Sequence, residues 1–320
     1  MITIITEATD NSTNGVIDWL KFFKKDFIRI NYEDYISKIK IELDNQDSNI
    51  LLNDIDVSKS NAVWYRRGTI NFQVPTKKVE DKYKINEKIS SHLNKELSKI
   101  RDYIHKNFDY NNKSIGNYEV AINTNKLYIL DQAKKNKLKI PPTLITDNRD
   151  DLEIFYKKHG ALITKAISEA PLLSIENHVA YFYTSEVADI SNFPKMFFPS
   201  LFQKKIEKAY EVRVFFIKNK YYSMAIFSQN DSATSADFRN YNTQKPNRTV
   251  PYKLPSVVKK RLKNLMKDLK INTGSIDLLV DKNNDFFFLE VNPVGQYGMV
   301  SYPCNYNLDK IIAKELTKIK

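Results

Sequence analysis

The sequence is poor in the residues that mark disulfide-rich, fibrous or membrane proteins. Its 320 residues include one cysteine, Cys304, and 7 glycines. A single cysteine cannot form an internal disulfide, which predicts a reducing compartment, the cytoplasm. No stretch approaches the roughly 20 apolar residues of a membrane-spanning helix, and residues 1–6 lack the basic leader of a secretory signal. We therefore expect no membrane partner.

Signs of histidine or cysteine chemistry are also missing. The four histidines lack metal-ligand spacing and have no cysteine partner nearby. No Ser-His-Asp arrangement can be recognised. We interpret the histidines as structural or surface residues, and Cys304 as a packing residue.

The charge balance is strongly positive, but the basic residues are spread along the whole chain. Lys and Arg number 50 against 38 Asp and Glu, a formal net charge of +12. No dense basic block or nucleic-acid motif is present, so we expect no nucleic-acid partner. An acidic ligand, such as nucleotide phosphates or a carboxylate-bearing peptide, fits this charge better. The alternative for most of the lysines is a solvated surface.

Strand and helix patterns alternate along residues 1–116, which predicts an α/β domain. A polar run from Tyr110 to Gly116 marks its boundary. In this first part, strands are predicted at 1–6, 28–30, 50–57 and 62–66, and helices at 16–25 and 80–107. Beyond it, helices are predicted at 123–135, 148–158, 257–269 and 308–318, and strands at 161–167, 201–206, 211–218, 221–228, 275–282 and 285–291.

The last two strands predict an acidic hairpin. If Asn283 and Asn284 form its two-residue turn, Asp277 lies directly opposite Glu290, and Asn292 shares the face of Glu290. Two opposed carboxylates repel each other unless a cation lies between them. Oxygen ligands suit Mg²⁺ or Mn²⁺, so the pattern favours a metal site formed by Asp277, Glu290 and Asn292. The alternative is an exposed polar face, and a slip of one residue would separate the carboxylates.

Six motifs in a fixed order resemble those of the ATP-grasp ligases, over residues 123–300. They are Asn123-Thr124-Asn125-Lys126-Leu127, Leu162-Ile163-Thr164-Lys165, Gln203-Lys204-Lys205-Ile206, Glu211-Val212-Arg213, Asp237-Phe238-Arg239-Asn240, and Asp277 with Phe288-Leu289-Glu290-Val291-Asn292-Pro293. The resemblance implies an ATP-grasp fold of class α/β (α+β). An N-terminal α/β pre-ATP-grasp domain at 1–116 would precede two α+β subdomains, 117–202 and 203–320, that clasp ATP.

Two further segments resemble the graspetide-forming, microviridin-type ligases, above all the grasp-with-spasm peptide maturases. They are Ala62-Val63-Trp64-Tyr65-Arg66-Arg67 and Asn292-Pro293-Val294-Gly295-Gln296-Tyr297-Gly298-Met299-Val300-Ser301-Tyr302-Pro303. The resemblance implies a macrocyclase whose partner is a ribosomal precursor peptide with a leader and an acidic core. Asp or Glu side chains of that peptide would be phosphorylated by ATP and joined, through an acyl phosphate, to Ser or Thr (ester) or Lys (amide). It also implies two Mg²⁺ ions, with Mn²⁺ as an alternative, and leaves a homodimer open.

The resemblance implies nucleotide-binding roles for eight residues. Lys126 and Lys165 would contact phosphates, and the hinge residues Gln203, Lys204, Lys205 and Ile206 would hold adenine. Glu211 would face the ribose or hinge, and Asn240 would add a phosphate contact. The alternatives are exposed surface lysines and a plain edge strand.

Three residues are implied to be catalytic. Arg213 would bind the γ-phosphate or the acceptor carboxylate, Arg239 would stabilise the acyl phosphate, and Asp237 would orient Arg239 or contact the nucleophile. Their alternatives are a salt bridge from Arg213 to Glu211 or Glu207, and surface charge. Arg66 or Arg67 would reach the peptide or the cleft, with a structural arginine as the alternative.

The sequence departs from many ATP-grasp enzymes after Lys165. Residues 166–187 contain no glycine, where those enzymes cover the triphosphate with a Gly-rich loop, so we assign no residue there.

Aromatic residues follow between 182 and 202. They include Phe193, Phe197, Phe198 and Phe202. These residues could together line an apolar groove for an acidic leader peptide. For each single residue, core packing is the simpler interpretation.

Three functions stay open on the sequence. The first is the peptide macrocyclase, favoured by the segments 62–67 and 292–303. The second is an ATP-grasp ligase that adds glutamate to a protein tail, which the motif 237–240 also fits. The third is a non-catalytic peptide-binding scaffold, which predicts that a metal ligand or phosphate lysine is missing. Asp277, Glu290, Asn292 and Lys165 are all present.

Overall fold

The structure, a computed structural model, describes residues 1–45, 48–73, 87–109, 113–168, 173–175, 178–180, 184–228 and 247–319. The chain divides into two units. Unit 1 comprises Met1–Asn123, Ile271–Gly274 and Gln296–Lys320, and unit 2 comprises Thr124–Lys270 and Ser275–Gly295. Unit 1 is therefore built from both ends of the chain. The division into three domains stays a prediction.

Helices occur in both units, and several begin at a side-chain cap. Asp10, Asn117, Asn125 and Asn148 each accept a backbone N–H of the first turn that would otherwise lack an intrahelical partner. None of the described helices has the length and apolar character needed to cross a membrane. The described α-helices are α1 (Asn11–Phe22), α2 (Glu87–Asp109), α3 (Tyr118–Ile122), α4 (Lys126–Lys135), α5 (Arg149–His159), α6 (Ser256–Asp268), α7 (Gly298–Ser301) and α8 (Leu308–Thr317), and a short 3₁₀ helix spans Ile190–Asn192.

The strands of unit 1 form a parallel sheet with the order β2-β1-β7-β9, a three-stranded sheet β4-β5-β6 and the pair β3-β8. Helices α1 and α8 pack together, with Val16, Leu20, Ile312 and Leu316 buried. The strands are β1 (Ile2–Thr6), β2 (Phe27–Asn31), β3 (Tyr35–Ile36), β4 (Ile39–Leu43), β5 (Ser48–Leu52), β6 (Ile55–Asp56), β7 (Ala62–Tyr65), β8 (Asn71–Phe72) and β9 (Ser114–Ile115).

The strands of unit 2 form two larger sheets and one hairpin. Their orders are β10-β15-β11-β14, β18-β17-β16-β19-β20 and β12-β13. The first two residues of β19 belong to unit 1. The strands are β10 (Thr143–Asn148), β11 (Leu162–Lys165), β12 (Leu173–Ile175), β13 (His178–Ala180), β14 (Ser185–Glu186), β15 (Met196–Lys204), β16 (Lys208–Ile217), β17 (Lys220–Phe227), β18 (Arg248–Tyr252), β19 (Thr273–Asp281) and β20 (Phe286–Asn292).

Several predicted elements differ from the structure. The helix predicted at 16–25 is observed at Asn11–Phe22, and the strand predicted at 201–206 is observed at Met196–Lys204. The strand at 50–57 is divided into β5 and β6, because Asn53 and Asp54 adopt φ of 49° and 65° and reverse the chain. Asn and Asp tolerate this left-handed region better than other non-glycine residues. The helix at 80–107 is observed from Glu87, and residues 80–86 lie outside the described part.

The aromatic segment of unit 2 packs mostly into the core. Phe193 and Phe197 pack with the fully buried Phe202 and with Leu152 and Leu162, from α5 and β11. Edge-to-face ring contacts join Phe202 to both other rings. Core packing, the simpler of the two interpretations, is therefore confirmed for these three rings. Phe198 is the exception, with 86% of its surface exposed.

Candidate active site

One face of the five-stranded sheet collects four charged side chains. Glu211 and Arg213 lie two residues apart on β16, Asp277 lies on β19, and Glu290 lies on β20. The order β16-β19-β20 places these positions side by side. Glu211 and Arg213 are each only 6% exposed. Charges with so little water around them interact more strongly than surface charges do.

Arg213 forms an ion pair with Asp277. Its Nη1 donates to Oδ1 at 3.0 Å and to Oδ2 at 2.9 Å of the carboxylate. The sequence suggested Glu211 or Glu207 as an alternative partner. The observed partner is 64 residues away, so only the order of strands in the sheet reveals it.

A second buried ion pair joins Lys208 to Glu211 on the same strand. Lys208 Nζ contacts Glu211 Oε1, and Ser228 Oγ donates to the same oxygen at 3.1 Å. Burial raises the pKa of Glu211, and the nearby Lys208 opposes part of that rise. Lys208 was not predicted from the sequence, because residues three apart point to opposite faces of a regular strand.

The hairpin β19–β20 brings Asp277 opposite Glu290, which confirms the predicted pairing. The predicted two-residue turn is wrong, because Asp281 N–H bonds to Asp285 O around a three-residue turn at 282–284. This change alone would displace the ladder by one residue. A register shift beside Asp277 restores it, since Leu278 pairs with Phe288 and Leu289 is passed over. Such bulges re-aim side chains next to functional sites.

The two carboxylates are suited to Mg²⁺. This ion usually takes one or two carboxylates and completes its shell with water and phosphate oxygens. Asn292 fits less directly, because its Oδ1 accepts the backbone N–H groups of Val294 at 3.0 Å and Gly295 at 3.2 Å. Among the described residues, no group of three His, Cys, Asp or Glu side chains is arranged to hold a metal. A metal bound here would therefore depend on ligands from phosphate or water.

The two predicted phosphate lysines lie at the same segment of unit 2. Lys165 is the last residue of β11, and Lys126 is the first residue of α4. Lys126 Nζ donates to the carbonyl of Ser168 at 3.1 Å and of Ala166 at 3.5 Å. The structure thus brings the Lys126 side chain to the chain that directly follows Lys165.

The predicted adenine hinge begins at the buried end of β15. Gln203 is fully buried, and its Nε2 donates to Thr143 Oγ1 at 2.9 Å. Within the described part of the chain, its Oε1 has no hydrogen-bond partner. A buried acceptor of this kind suits a donor such as the adenine amino group. The N–H groups of Lys204 and Lys205 donate to backbone carbonyls, so a backbone donor for adenine would have to be Ile206.

No family model matches the chain, and no curated protein matches it. Solved structures match it over almost its whole length. The RiPP-associated ATP-grasp ligase of Chryseobacterium gregarium, in complex with ADP and a leader and core peptide, gives a TM-score of 0.81 at 22% identity, over 99% of this chain and 96% of that one. The macrocyclase MdnC of Microcystis aeruginosa MRC, bound with precursor peptide MdnA, gives 0.77 at 26% identity, over 99% of both chains. PsnB complexed with minimal precursor, Mg and ADP gives 0.75 at 16% identity, over 99% and 96%.

The chain has the ATP-grasp fold. The predicted fold class and the resemblance to graspetide-type ATP-grasp ligases are both confirmed. Within this ATP-grasp chain, the charged sheet face, the lysines and the hinge all belong to unit 2. Their individual roles stay predictions.

The remaining predicted residues of this ATP-grasp chain lie elsewhere. Asp237, Arg239 and Asn240 fall outside the described residues. Arg66 and Arg67 lie in unit 1.

The two arginines of unit 1 differ in exposure. Arg66 is 4% exposed, and it contacts Asp10 at 3.0 Å and Ser12 at 3.1 Å, which favours the structural alternative for this residue. The Arg67 side chain is 36% exposed, and its Nη1 lies 3.5 Å from Glu7 Oε2. Of the two, Arg67 is therefore the better candidate for a peptide contact.

Proposed function

We propose that the protein is an ATP-dependent peptide maturase. It phosphorylates Asp or Glu side chains of a ribosomal precursor peptide and joins them to Ser, Thr or Lys side chains of the same peptide. One observation carries the proposal, the pairing of Asp277 with Glu290 beside the buried Arg213. The matching macrocyclase and ligase structures contain precursor peptides, and two of the three contain ADP, which supports this reaction class.

The first step brings anions together, so the site must supply positive charge. A carboxylate oxygen of the peptide attacks the γ-phosphorus of ATP, and ADP leaves. Arg213, Lys126 and Lys165 provide cations for the phosphates and the incoming carboxylate. Mg²⁺, held by Asp277 and Glu290, would neutralise phosphate oxygens in the same step.

The second step forms the cross-link. A hydroxyl or amine of the peptide attacks the acyl carbon, the bond from that carbon to the phosphate oxygen breaks, and the proton of the nucleophile passes to the departing inorganic phosphate. The bond formed is an ester or an amide, and the net change in the peptide is the loss of one water. Arg213 remains beside the acyl phosphate that it helped to form, where its guanidinium can bind the departing phosphate.

Binding of the two substrates falls to groups already described. Gln203 Oε1 accepts the adenine amino group, and Glu211 faces the ribose. The net charge of +12 favours the acidic core of the peptide. A reducing, ATP-rich compartment, the cytoplasm, fits the single buried Cys304.

The decisive experiment is intact-mass analysis of the precursor after incubation with the protein, ATP and Mg²⁺. We expect the loss of one water per bond, absent without ATP. The variant Glu290→Gln should slow this loss by about 100-fold or more, since it removes one of two carboxylate ligands. The matched control is Asp285→Asn, which removes a carboxylate from the turn end of the same hairpin and should leave the rate unchanged.

Other results would point to other functions. A gain in mass by whole glutamate residues would indicate the glutamate-adding ligase. An unchanged peptide in the presence of bound ATP would contradict the maturase and leave a peptide-binding scaffold.

A further inference from the structure

Arg213 occupies the carboxylate to which the proposed metal would bind. One guanidinium nitrogen lies 3.0 and 2.9 Å from the two oxygens of Asp277. The two side chains are only 8% and 15% exposed. A divalent cation at the same oxygens would lie within a few ångströms of the guanidinium, with little water to screen the repulsion.

The second carboxylate near Arg213 is engaged by other groups. Glu211 lies two residues before Arg213 on β16, but its Oε1 is held by Lys208 and Ser228. If a metal displaced Arg213 from Asp277, Glu211 would be a poor alternative partner, because its charge is already balanced. The displaced guanidinium would be available to an incoming phosphate.

We propose that Arg213 and the metal ion compete for Asp277. Without nucleotide, Arg213 holds Asp277 and weakens metal binding. Nucleotide phosphate attracts Arg213 away, and Asp277 then accepts the metal. Arg213 therefore couples the two binding events, and this inference rests on the proposed metal role of Asp277.

The coupling has a measurable consequence. Because binding free energies are linked, a nucleotide that raises metal affinity must gain affinity from the metal by the same factor. In any enzyme that binds a nucleotide together with a metal ion, direct metal–phosphate contacts supply part of this mutual gain in affinity. The part that depends on Arg213 should disappear when the guanidinium is removed.

The test is titration with Mn²⁺, followed by the electron paramagnetic resonance signal of the unbound ion. It compares wild type, Arg213→Gln and Arg213→Lys, with and without the non-hydrolysable analogue AMPPNP. Arg213→Gln should bind Mn²⁺ roughly tenfold more tightly than wild type without nucleotide, and should show a smaller gain from AMPPNP. Arg213→Lys keeps a positive charge, so its affinity should stay close to that of wild type.

Two controls separate competition from general effects. Lys139→Gln removes a cation that pairs with Asp285 at the far end of the hairpin, and it should change Mn²⁺ affinity by less than about twofold. Adding Asp277→Asn to Arg213→Gln should abolish the gain. Thermal melts of each variant confirm that the compared proteins are folded.

The outcomes separate this inference from the proposed function. Unchanged or weaker Mn²⁺ binding by folded Arg213→Gln overturns the competition, whatever the precursor assay gives. If neither protein binds Mn²⁺ even with AMPPNP, the metal site itself is refuted, and the competition with it. A negative precursor assay with the expected Mn²⁺ behaviour would instead refute the peptide chemistry alone.

Discussion

Lys208 is buried as deeply as the carboxylate that it neutralises, with both side chains 8% exposed. Removing one partner of a buried ion pair leaves the other charge without compensation, which costs far more than losing a surface pair. Glu211 would have to ionise in a site that already raises its pKa. Lys208 is thus central to the electrostatics of the site, although no sequence motif identified it.

The variant Lys208→Met should destabilise the protein in a pH-dependent manner. A carboxyl whose pKa is raised in the folded state stabilises that state at low pH, and this contribution is lost as the pH rises. Without the lysine, the pKa of Glu211 rises further. We therefore expect a loss of about 3 kcal/mol in unfolding free energy at neutral pH, and a much smaller loss near pH 4.5, the ordinary value for Glu.

Urea denaturation at both pH values measures this difference. The control is Lys282→Met, which removes a lysine paired with Glu207 at 3.3 Å on the exposed surface. That change should cost less than about 1 kcal/mol at either pH. Equal losses for Lys208→Met at both pH values would show that Glu211 is not the group responsible.

At the scale of the element, the hairpin β19–β20 depends on its turn. Asn284 has a φ of 61°, in the left-handed region where a β-branched side chain is strained. Asn284→Val should lower the unfolding free energy by about 1–2 kcal/mol, whereas Asn284→Gly should be close to neutral, since glycine accepts this conformation. Chemical denaturation at neutral pH gives both values.

The neighbouring residue provides the matched comparison. Asn283 is exposed and does not have a positive φ. Asn283→Val should therefore cost clearly less than Asn284→Val. If the two valine variants were equally stable, the three-residue turn would be the wrong description of this hairpin.

The hairpin also shows how far local patterns predict structure. Alternation predicted both strands, and the assumed two-residue turn at Asn283 and Asn284 predicted the pairing of Asp277 with Glu290. The three-residue turn and the bulge at Leu289 were not predicted. Each of them shifts the strand register by one residue, and the two shifts cancel, so the pairing of Asp277 with Glu290 is the same as for a two-residue turn without a bulge. The partners Arg213 and Asp277 were also beyond prediction, because strand order within a sheet leaves no local signal. Strand β18 was not predicted, because it contains Pro251, a residue that argues against a strand in the sequence pattern.

At the scale of the whole molecule, contacts between residues far apart in the sequence hold unit 1 together. Tyr297 is 1% exposed, and its hydroxyl lies 2.7 Å from both the Ser12 carbonyl and Asp309 Oδ1. Its ring lies under the guanidinium of Arg66, 5.5 Å from the ring centre. The first helix of unit 1 therefore relies on residues near the end of the sequence.

This arrangement sets an order for folding during translation. The ribosome completes every residue of unit 2 by Gly295, but unit 1 still lacks the residues from Gln296 onward. Nascent chains usually fold their N-terminal parts first, and here we expect the middle of the chain to fold before the beginning. Brief proteolysis of stalled nascent chains, with Gly295 as the last residue outside the ribosome, should cut near Val16 and spare residues 196–227. Protection of both regions would contradict this order. Helix α1 is synthesised first and would therefore remain longest without α8, the helix that packs against it. Its apolar face would be accessible to chaperones throughout synthesis.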